Sequence, residues 1–262
     1  MRSVMAIVQK AFLRNMSYRF EIWLRLIGNI SVVFIQISIW SALLGTGAIE
    51  GIDLSTMITY SIISTSVSMI LMYQMIHTID GKLKNGDISM DLLKPISFPI
   101  LMFFDQVGNI CFQVLFTLVP TIVISSLLFG LTFPHEWTTL LLFFIAILFA
   151  VLISFFISYL IALISFWFLT TFALEWMFTA LITVFSGSFL PLWFFSKEWR
   201  GVAEMLPFQF LGFIPAAIFM ETIEGTEVLW VLVKGVLWII TLWIIVQLLW
   251  RRAIRRLVLQ GG

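Results

Sequence analysis

Cysteine is almost missing from this chain. Cys111 stands alone inside an apolar run, which excludes an intrachain disulfide and a cysteine metal cluster. Histidine is nearly as scarce: His77 and His135 lie far apart and form neither an HExxH nor another paired-ligand pattern, so no zinc site is expected. There is no phosphate loop, no GxGxxG fingerprint and no GxSxG elbow. Ser186-Gly187-Ser188 imitates such an elbow only in composition, because no histidine is placed to activate a serine. The chain is therefore not read as an enzyme, and no catalytic, metal or cofactor-binding residue is assigned to it. Charge is the last shortage. Asp, Glu, Lys and Arg make up 11% of the residues, too few to coat a soluble protein of this size.

What is present in excess is apolar sequence, 61% of the chain, and it is distributed in runs. Six of them, at residues 22–44, 55–77, 102–129, 137–166, 172–195 and 228–250, reach the length of about 20 residues that a membrane crossing needs. The fold class expected is an all-α integral membrane protein forming one transmembrane domain over residues 1–262. Six crossings put both termini on one side, and the basic residues say which. Arg2, Lys10, Arg14, Arg19, Arg25, Lys82, Lys84, Lys94, Arg251, Arg252, Arg255 and Arg256 fall together, whereas the opposite face offers only Lys197 and Arg200, with Lys234 near an outer end, and carries Glu50, Asp53, Glu136, Glu198, Glu204, Glu221, Glu224 and Glu227. By the positive-inside rule both termini are cytoplasmic. No small-residue cleavage site follows the basic N-terminus, so no removable signal peptide is read there.

Four stretches break the apolar pattern. At residues 4–17, Val4, Met5, Val8, Phe12 and Met16 fall on one side of a helix, opposite Lys10, Arg14 and Ser17. Such a helix can lie in the headgroup layer with its basic face towards anionic lipid, ending or bending near Ser17–Arg19; a simple run-in to the first span fits as well. At residues 80–95 a polar loop joins two spans on the cytoplasmic side. Asn85-Gly86-Asp87 is a turn signal, and Asp87 can cap a helix through the backbone of Ser89 or Met90. Ile88 and Leu92, and Ser89 and Leu93, stack at i,i+4, and Pro95 stops the helix after roughly 10 Å. The result is either a peg for a groove on a soluble partner or a solvated hairpin loop.

The third run carries Asp105, Gln106, Asn109 and Gln113, and three of these recur every fourth residue. Lipid will not tolerate that stripe, which must line a transport path or pair with another helix. Glu175, at the start of the fifth run, is open to the same two readings. Ser61, Ser64, Thr65, Ser66 and Ser68 in the second run are small residues that permit close helix approach. Finally, an apolar segment at residues 202–220 is broken by Pro207, Gly212 and Pro215. It is too short and kinked to cross, and predicts a re-entrant or interfacial hairpin on the outer face within residues 196–225, able to act as an outer gate.

These features in this order resemble a known family. The loop Gly86–Ser97 reads GDISMDLLKPIS, the fifth run ends in Ser186-Gly187 and Pro191, and Leu206-Pro207-Phe208-Gln209 and Ile214-Pro215 follow. With the six-span pattern and the N-terminal amphipathic helix they resemble the permeases of type-2 ABC exporters, more narrowly those whose inner loop reads G-x-I-x-x-x-L-L-K-P. The resemblance implies a half-transporter. A second permease, identical or a related sister chain, would complete the pore. Two copies of a separate ATPase subunit would supply the energy, with ATP and Mg bound there and not on this chain. It assigns Gly86, Asp87, Ile88, Asp91, Leu92, Leu93 and Pro95 to a coupling helix, and Ser186, Gly187, Pro191, Leu206, Pro207, Phe208 and Pro215 to the outer gate. Asp105, Asn109, Gln113 and Glu175 remain candidates for a path or for helix pairing. The expected setting is the plasma membrane of a bacterial cell, with lipid and no nucleic acid as surroundings, and a phenylalanine-rich interior suits an amphipathic, lipid-like or drug-like cargo. A secondary transporter or channel without an ATPase is the alternative.

Overall fold

A computed structural model describes residues 2–17, 19–45, 52–71, 75–168, 172–223 and 225–255, which form helices and no β-strand. Glu50, Glu224 and Arg256, used above to orient the chain, lie outside the described residues. α1 (Arg2–Met16) precedes α2 (Arg19–Leu44), so the predicted break at Ser17–Arg19 falls between them. α3 (Leu54–Leu71) is followed by two short helices, α4 (Met75–Lys84) and α5 (Asp87–Leu92). α6 (Phe98–Gln113) passes through a π-turn (Val114–Leu118) into α7 (Val119–Phe129). α8 (Trp137–Leu163) ends in a 3-10 turn at Ile164–Phe166. α9 (Phe172–Phe185) and the long α12 (Thr226–Ile254) bracket an irregular stretch that holds α10 (Lys197–Met205) and α11 (Phe213–Phe219).

Four helical stretches are long and apolar enough to cross a membrane: Phe20–Leu44, Phe98–Phe129, Trp137–Phe166 and Thr226–Ile254. The other two predicted runs carry shorter helices. α3 has 18 residues and α9 has 14, so they rise roughly 27 and 21 Å, against a hydrocarbon core of about 30 Å. The long α6–α7 rod is not uniform either. Pro120 lacks the N–H that an α-turn would use and crowds the preceding turn, and the backbone widens just before it, where Val119 N–H reaches the carbonyl of Val114.

α9 stops at Phe185 because Ser186-Gly187-Ser188 turns the chain away. Gly187 has φ +73°, a conformation that a side chain would strain, and a Cβ there would lie 2.8 Å from Cβ of Phe213. The chain then runs without a long helix until Thr226, and part of this stretch is deep inside. All seven residues of α11 are buried, packed against α3 and α8, with Phe219 edge-on to Phe143 at 5.1 Å. Residues 196–225, expected to form a hairpin, hold two unlike helices. α10 is an amphipathic surface helix whose last turn receives the Trp238 indole on the Met205 carbonyl, 3.1 Å, and α11 is core.

Irregular backbone at that depth needs hydrogen-bond partners, because neither lipid nor apolar side chains supply any. Side chains of α2 and α3 provide them. The Tyr60 hydroxyl donates to the Gly187 carbonyl; Ser64 Oγ donates to the Ser188 carbonyl at 3.2 Å, and Ser68 Oγ to that of Leu211 at 2.7 Å. These three residues recur every fourth position and line one face of α3. From α2, Gln36 Nε2 donates to the carbonyls of Ser188 (3.0 Å) and Phe189 (2.8 Å), while its own carbonyl accepts from the Thr65 hydroxyl. Phe213 N–H closes the set on the Ser186 carbonyl at 2.8 Å. The serines and threonines of α3 are thus more than small residues: several are the donors that keep the broken segment in place.

Space in this knot is fully used. A Cβ on Gly212 would sit 2.8 Å from Ser68 Oγ, 3.0 Å from Ser188 Cβ and 3.1 Å from the Ser186 carbonyl oxygen, and both oxygens already hold bonds. Gly201 on α10 faces open space. Gly212→Ala is expected to lower unfolding stability by roughly 1–3 kcal/mol, as overpacking does. Gly201→Ala is expected to leave it unchanged within about 0.5 kcal/mol. Thermal unfolding of the two variants in the same detergent checks the difference.

Candidate functional site

Three places in the fold hold the residues singled out by sequence. The first is the loop that joins α4 to α6. Gly86, at φ +77°, occupies the position before α5, and its carbonyl accepts from Ser89 N–H (3.2 Å) and Ser89 Oγ (2.7 Å). The cap expected from Asp87 is not formed: Asp87 is the first residue of the helix and is exposed. α5 then presents two unlike faces. Ile88 and Asp91 are buried and Leu92 packs against the core, whereas Met90 is 68% and Leu93 83% exposed. Asp91 lies between Lys82 Nζ on α4 (2.5 Å) and Lys94 Nζ (2.6 Å). Burial alone would push its carboxyl up, but the hydrogen bonds and charges of the two lysines hold it below the ordinary aspartate range. The peg is thus clamped to α4 from within. Pro95 is exposed and ends the segment, and Phe98, the first residue of α6, stacks on Trp250 near the end of α12 at 5.2 Å.

The second place is the polar stripe of α6. It faces α1. Arg14 lays its guanidinium on the Asp105 carboxylate through two hydrogen bonds of 3.2 and 2.9 Å, and also donates to Asn109 Oδ1 at 3.2 Å. Asn15 Nδ2 donates to the same Asn109 oxygen at 2.6 Å. Arg14, expected to point at lipid headgroups, is instead turned to a carboxylate on a neighbouring helix. Close approach makes this possible: a Cβ on Gly108 would sit 2.4 Å from the Val8 carbonyl oxygen and 2.7 Å from Ala11 Cβ, so the two backbones touch. Of the two roles open to the stripe, Asp105 and Asn109 take helix pairing. Gln113, one turn on, is half-buried and carries none of the bonds to α1 just described; Gln106 is buried, and its amide makes no hydrogen bond among the described residues.

Glu175 belongs to the third place. Its Oε1 lies 3.2 Å from His77 Nε2 of α4, at one end of a cavity of about 270 Å³ between α3, α8 and α9. Ser186 and Ser188 line the other end, so the cavity runs from the start of α9 to the knot that stops it. The gate residues divide accordingly. Ser186 and Gly187 belong to the knot, and Pro191 and Pro207 are buried near it. Leu206 and Phe208 are half-buried, and Pro215 lies within the buried α11. At this end of the bundle Glu221, with φ +58°, accepts from His135 N–H (3.0 Å) and Thr139 Oγ1 (3.2 Å), tying the exit of α11 to the start of α8. Sequence reasoning did not single out Gln36, Tyr60 or Asn15. The available signal was a polar or hydroxyl-bearing side chain inside an apolar run at helical spacing from others.

Among the described residues no group of three or more His, Cys, Asp or Glu could hold a metal ion. The molecule defined by these features is a multi-pass helical membrane protein with a partly buried irregular segment between α9 and α12 and a short helix within a polar loop. A family model described as ABC-2 family transporter protein matches residues 27–261, and the chain belongs to that family, a membrane component of transport and not itself a catalyst. No curated protein matches the sequence.

Two variants test these contacts. Gly108→Val is expected to push α1 off α6 and raise backbone hydrogen exchange across residues 2–17 by at least about tenfold, a cost of roughly 1–3 kcal/mol. Asp91→Asn is expected to lower the local opening free energy of α5 by about 1–2 kcal/mol. Because the Asp91 carboxyl is held below its unfolded value of about 3.9, the stability it contributes is fully present above that pH and lost as pH falls below it. Exchange protection of residues 87–92 is therefore expected to be flat from pH 7 to about 5 and to fall below about 4 in the parent chain, with a smaller fall in Asp91→Asn.

Proposed function

We propose that this chain is the membrane-spanning half of an ATP-driven exporter, and that α5 is the part a separate ATPase pushes. Permeases of this family work with an ABC ATPase; two copies of that subunit would serve two permeases, either identical or a pair of related chains. In this reading α3 and α9 complete six crossings, and both termini and the α4–α6 loop are cytoplasmic. The described basic residues support that orientation. Lys10, Lys82, Lys84, Lys94, Arg251 and Arg252 belong with the α5 end of the bundle, and Asp53, Glu136, Glu198 and Glu221 with the other. α1 is the interfacial connecting helix. The knot around Gly187 and the buried α11 form the closure at the outer side, and the cargo is amphipathic.

The single observation that carries the proposal is the orientation of α5. Asp91 is turned inward onto α4 beside Ile88 and Leu92, while two large apolar side chains, Met90 and Leu93, stand exposed three residues apart on the outward face. A solvated loop has no need of two large apolar side chains side by side in the open, whereas a peg for an apolar groove does. Ile88, Asp91 and Leu92 then hold the peg, Met90 and Leu93 touch the ATPase, and Asp87 and Pro95 form the rim. Closing of the ATPase pair on ATP would displace α5 and, through α4 and α6, favour one of two arrangements of the bundle over the other.

Each apolar side chain buried in such a contact contributes roughly 1.5–3 kcal/mol. The double variant Met90→Asp, Leu93→Asp is therefore expected to reduce copurification of the ATPase by at least about tenfold and to abolish transport, with membrane insertion and monodispersity unchanged. Equal ATPase recovery together with undiminished transport would remove the coupling role from α5.

A further inference from the structure

The cavity that begins at Glu175 has an unusual chemical bias. Glu175 and Thr179 lie one turn apart on α9, Thr183 follows one turn on, and Ser186 continues the row, so one stripe of the helix is polar over roughly 16 Å. Ser154 and Ser158 face it from α8. Four of the seven lining hydroxyls spend their hydrogens within the protein: Ser154 Oγ donates to the Val151 carbonyl (3.0 Å), Thr183 Oγ1 to that of Thr179 (2.8 Å), Ser68 Oγ to that of Leu211, and Ser186 Oγ to Ser188 Oγ (3.0 Å). What these oxygens offer the cavity is lone pairs. Glu175 adds a carboxylate, and no Lys, Arg or His is among the described lining residues. The remaining walls are aliphatic, with Leu71, Ile157, Ile161 and Ile182.

A lining whose one carboxyl group sits among hydroxyls and aliphatic side chains selects a ligand of complementary chemistry: an N–H donor, a positive charge and a hydrocarbon tail. We propose that this cavity is a binding site for alkyl-ammonium compounds, with the ammonium on Glu175 and the hydroxyl oxygens and the tail along the isoleucines. His77, at 3.2 Å, holds Glu175 in the unliganded chain and sits at the rim, where it shares the carboxylate or yields it to the ligand. The site rests on the exporter reading for its physiological meaning, since it would make the cargo a cationic amphiphile. Its occupancy is a property of this chain alone. The same ammonium chemistry is offered by a free amine and by the headgroup of phosphatidylethanolamine.

Equilibrium binding of three tail-matched probes, decylammonium, decanol and decanoate, tests the site. The full-length chain, with whatever ATPase remains bound, is measured without ATP in nanodiscs of phosphatidylcholine and phosphatidylglycerol, with empty nanodiscs subtracted. Decylammonium is expected to bind at least about tenfold tighter than either other probe, the ratio given by one charge-assisted hydrogen bond. Glu175→Gln is expected to bring decylammonium to the decanol level while decanol itself is unchanged. Thr179→Leu, which fills the cavity, is expected to remove saturable binding of all three. Equal affinity for decanoate and decylammonium in the parent chain, or undiminished decylammonium binding in Glu175→Gln or Thr179→Leu, would overturn the proposal. Should Glu175→Gln fail to fold, the probe ranking and Thr179→Leu still decide. Repeating the measurement with phosphatidylethanolamine in the disc separates the sources: weakened decylammonium binding assigns the site to the lipid headgroup, and unchanged binding assigns it to free amines. A Met90→Asp, Leu93→Asp chain that keeps its ATPase and its transport, in a protein that selects decylammonium, refutes the coupling reading and leaves this one standing.

Discussion

Hydrocarbon offers no hydrogen bonds, and this fold is arranged around one place where the main chain needs them. Between Phe185 and Thr226 the backbone is irregular, and carbonyls at Ser186, Gly187, Ser188, Phe189 and Leu211 are met by donors on α2, α3 and α11. An unmet backbone group at that depth costs several kcal/mol, so losing even two of these bonds would exceed much of a typical domain's net stability. The constraint runs backwards into sequence. It explains a tyrosine and two serines at four-residue spacing on α3, a glutamine in the middle of α2, and glycine at positions 187 and 212. It also explains why α9 is short, because its helix gives way to the turn that these donors hold.

The same economy of polar groups appears at the other end of the bundle. Asp105 and Asn109 are matched by Arg14 and Asn15, and Asp91 by Lys82 and Lys94, so the charged residues there bind one helix to another. Glu175 differs in that a cavity opens beside it, and its one ion-pair partner among the described residues is His77. That difference separates a structural carboxylate from one available to a ligand. It could not be drawn from the three acidic residues as they stand in the sequence.

Much of the fold was legible beforehand. Hydropathy located the four long helices to within a few residues, and the proline and glycine spacing in residues 202–220 marked a segment that carries no long helix. What could not be read was direction. The i,i+4 pairs of α5 are symmetric in sequence, so nothing local says that Ile88 faces in and Leu93 faces out; the packing of α4 and the two lysines around Asp91 decides it. The stripe on α6 announced that it needed a partner, but the partner, Arg14, is 91 positions away and carried its own reasonable assignment to lipid. The hydroxyls of α3 were visible and were read for their size, because their acceptors exist only once the knot of residues 186–189 and 211 has formed. The exchange of cap from Asp87 to Gly86 has a simpler cause: the left-handed turn needed there is available to glycine without strain.

The contact of Gly108 with Val8 has a mechanical meaning. Two helices whose backbones touch and whose polar groups interlock cannot slide independently, and only five residues separate the end of α5 from the start of α6. A shove on that short helix therefore tilts a compound lever, with α1 as its outrigger. Under the coupling proposed above, with α1 in the membrane surface, the outrigger would sweep sideways through that surface as the lever swings, and the stiffness of the surrounding lipid would be part of the load.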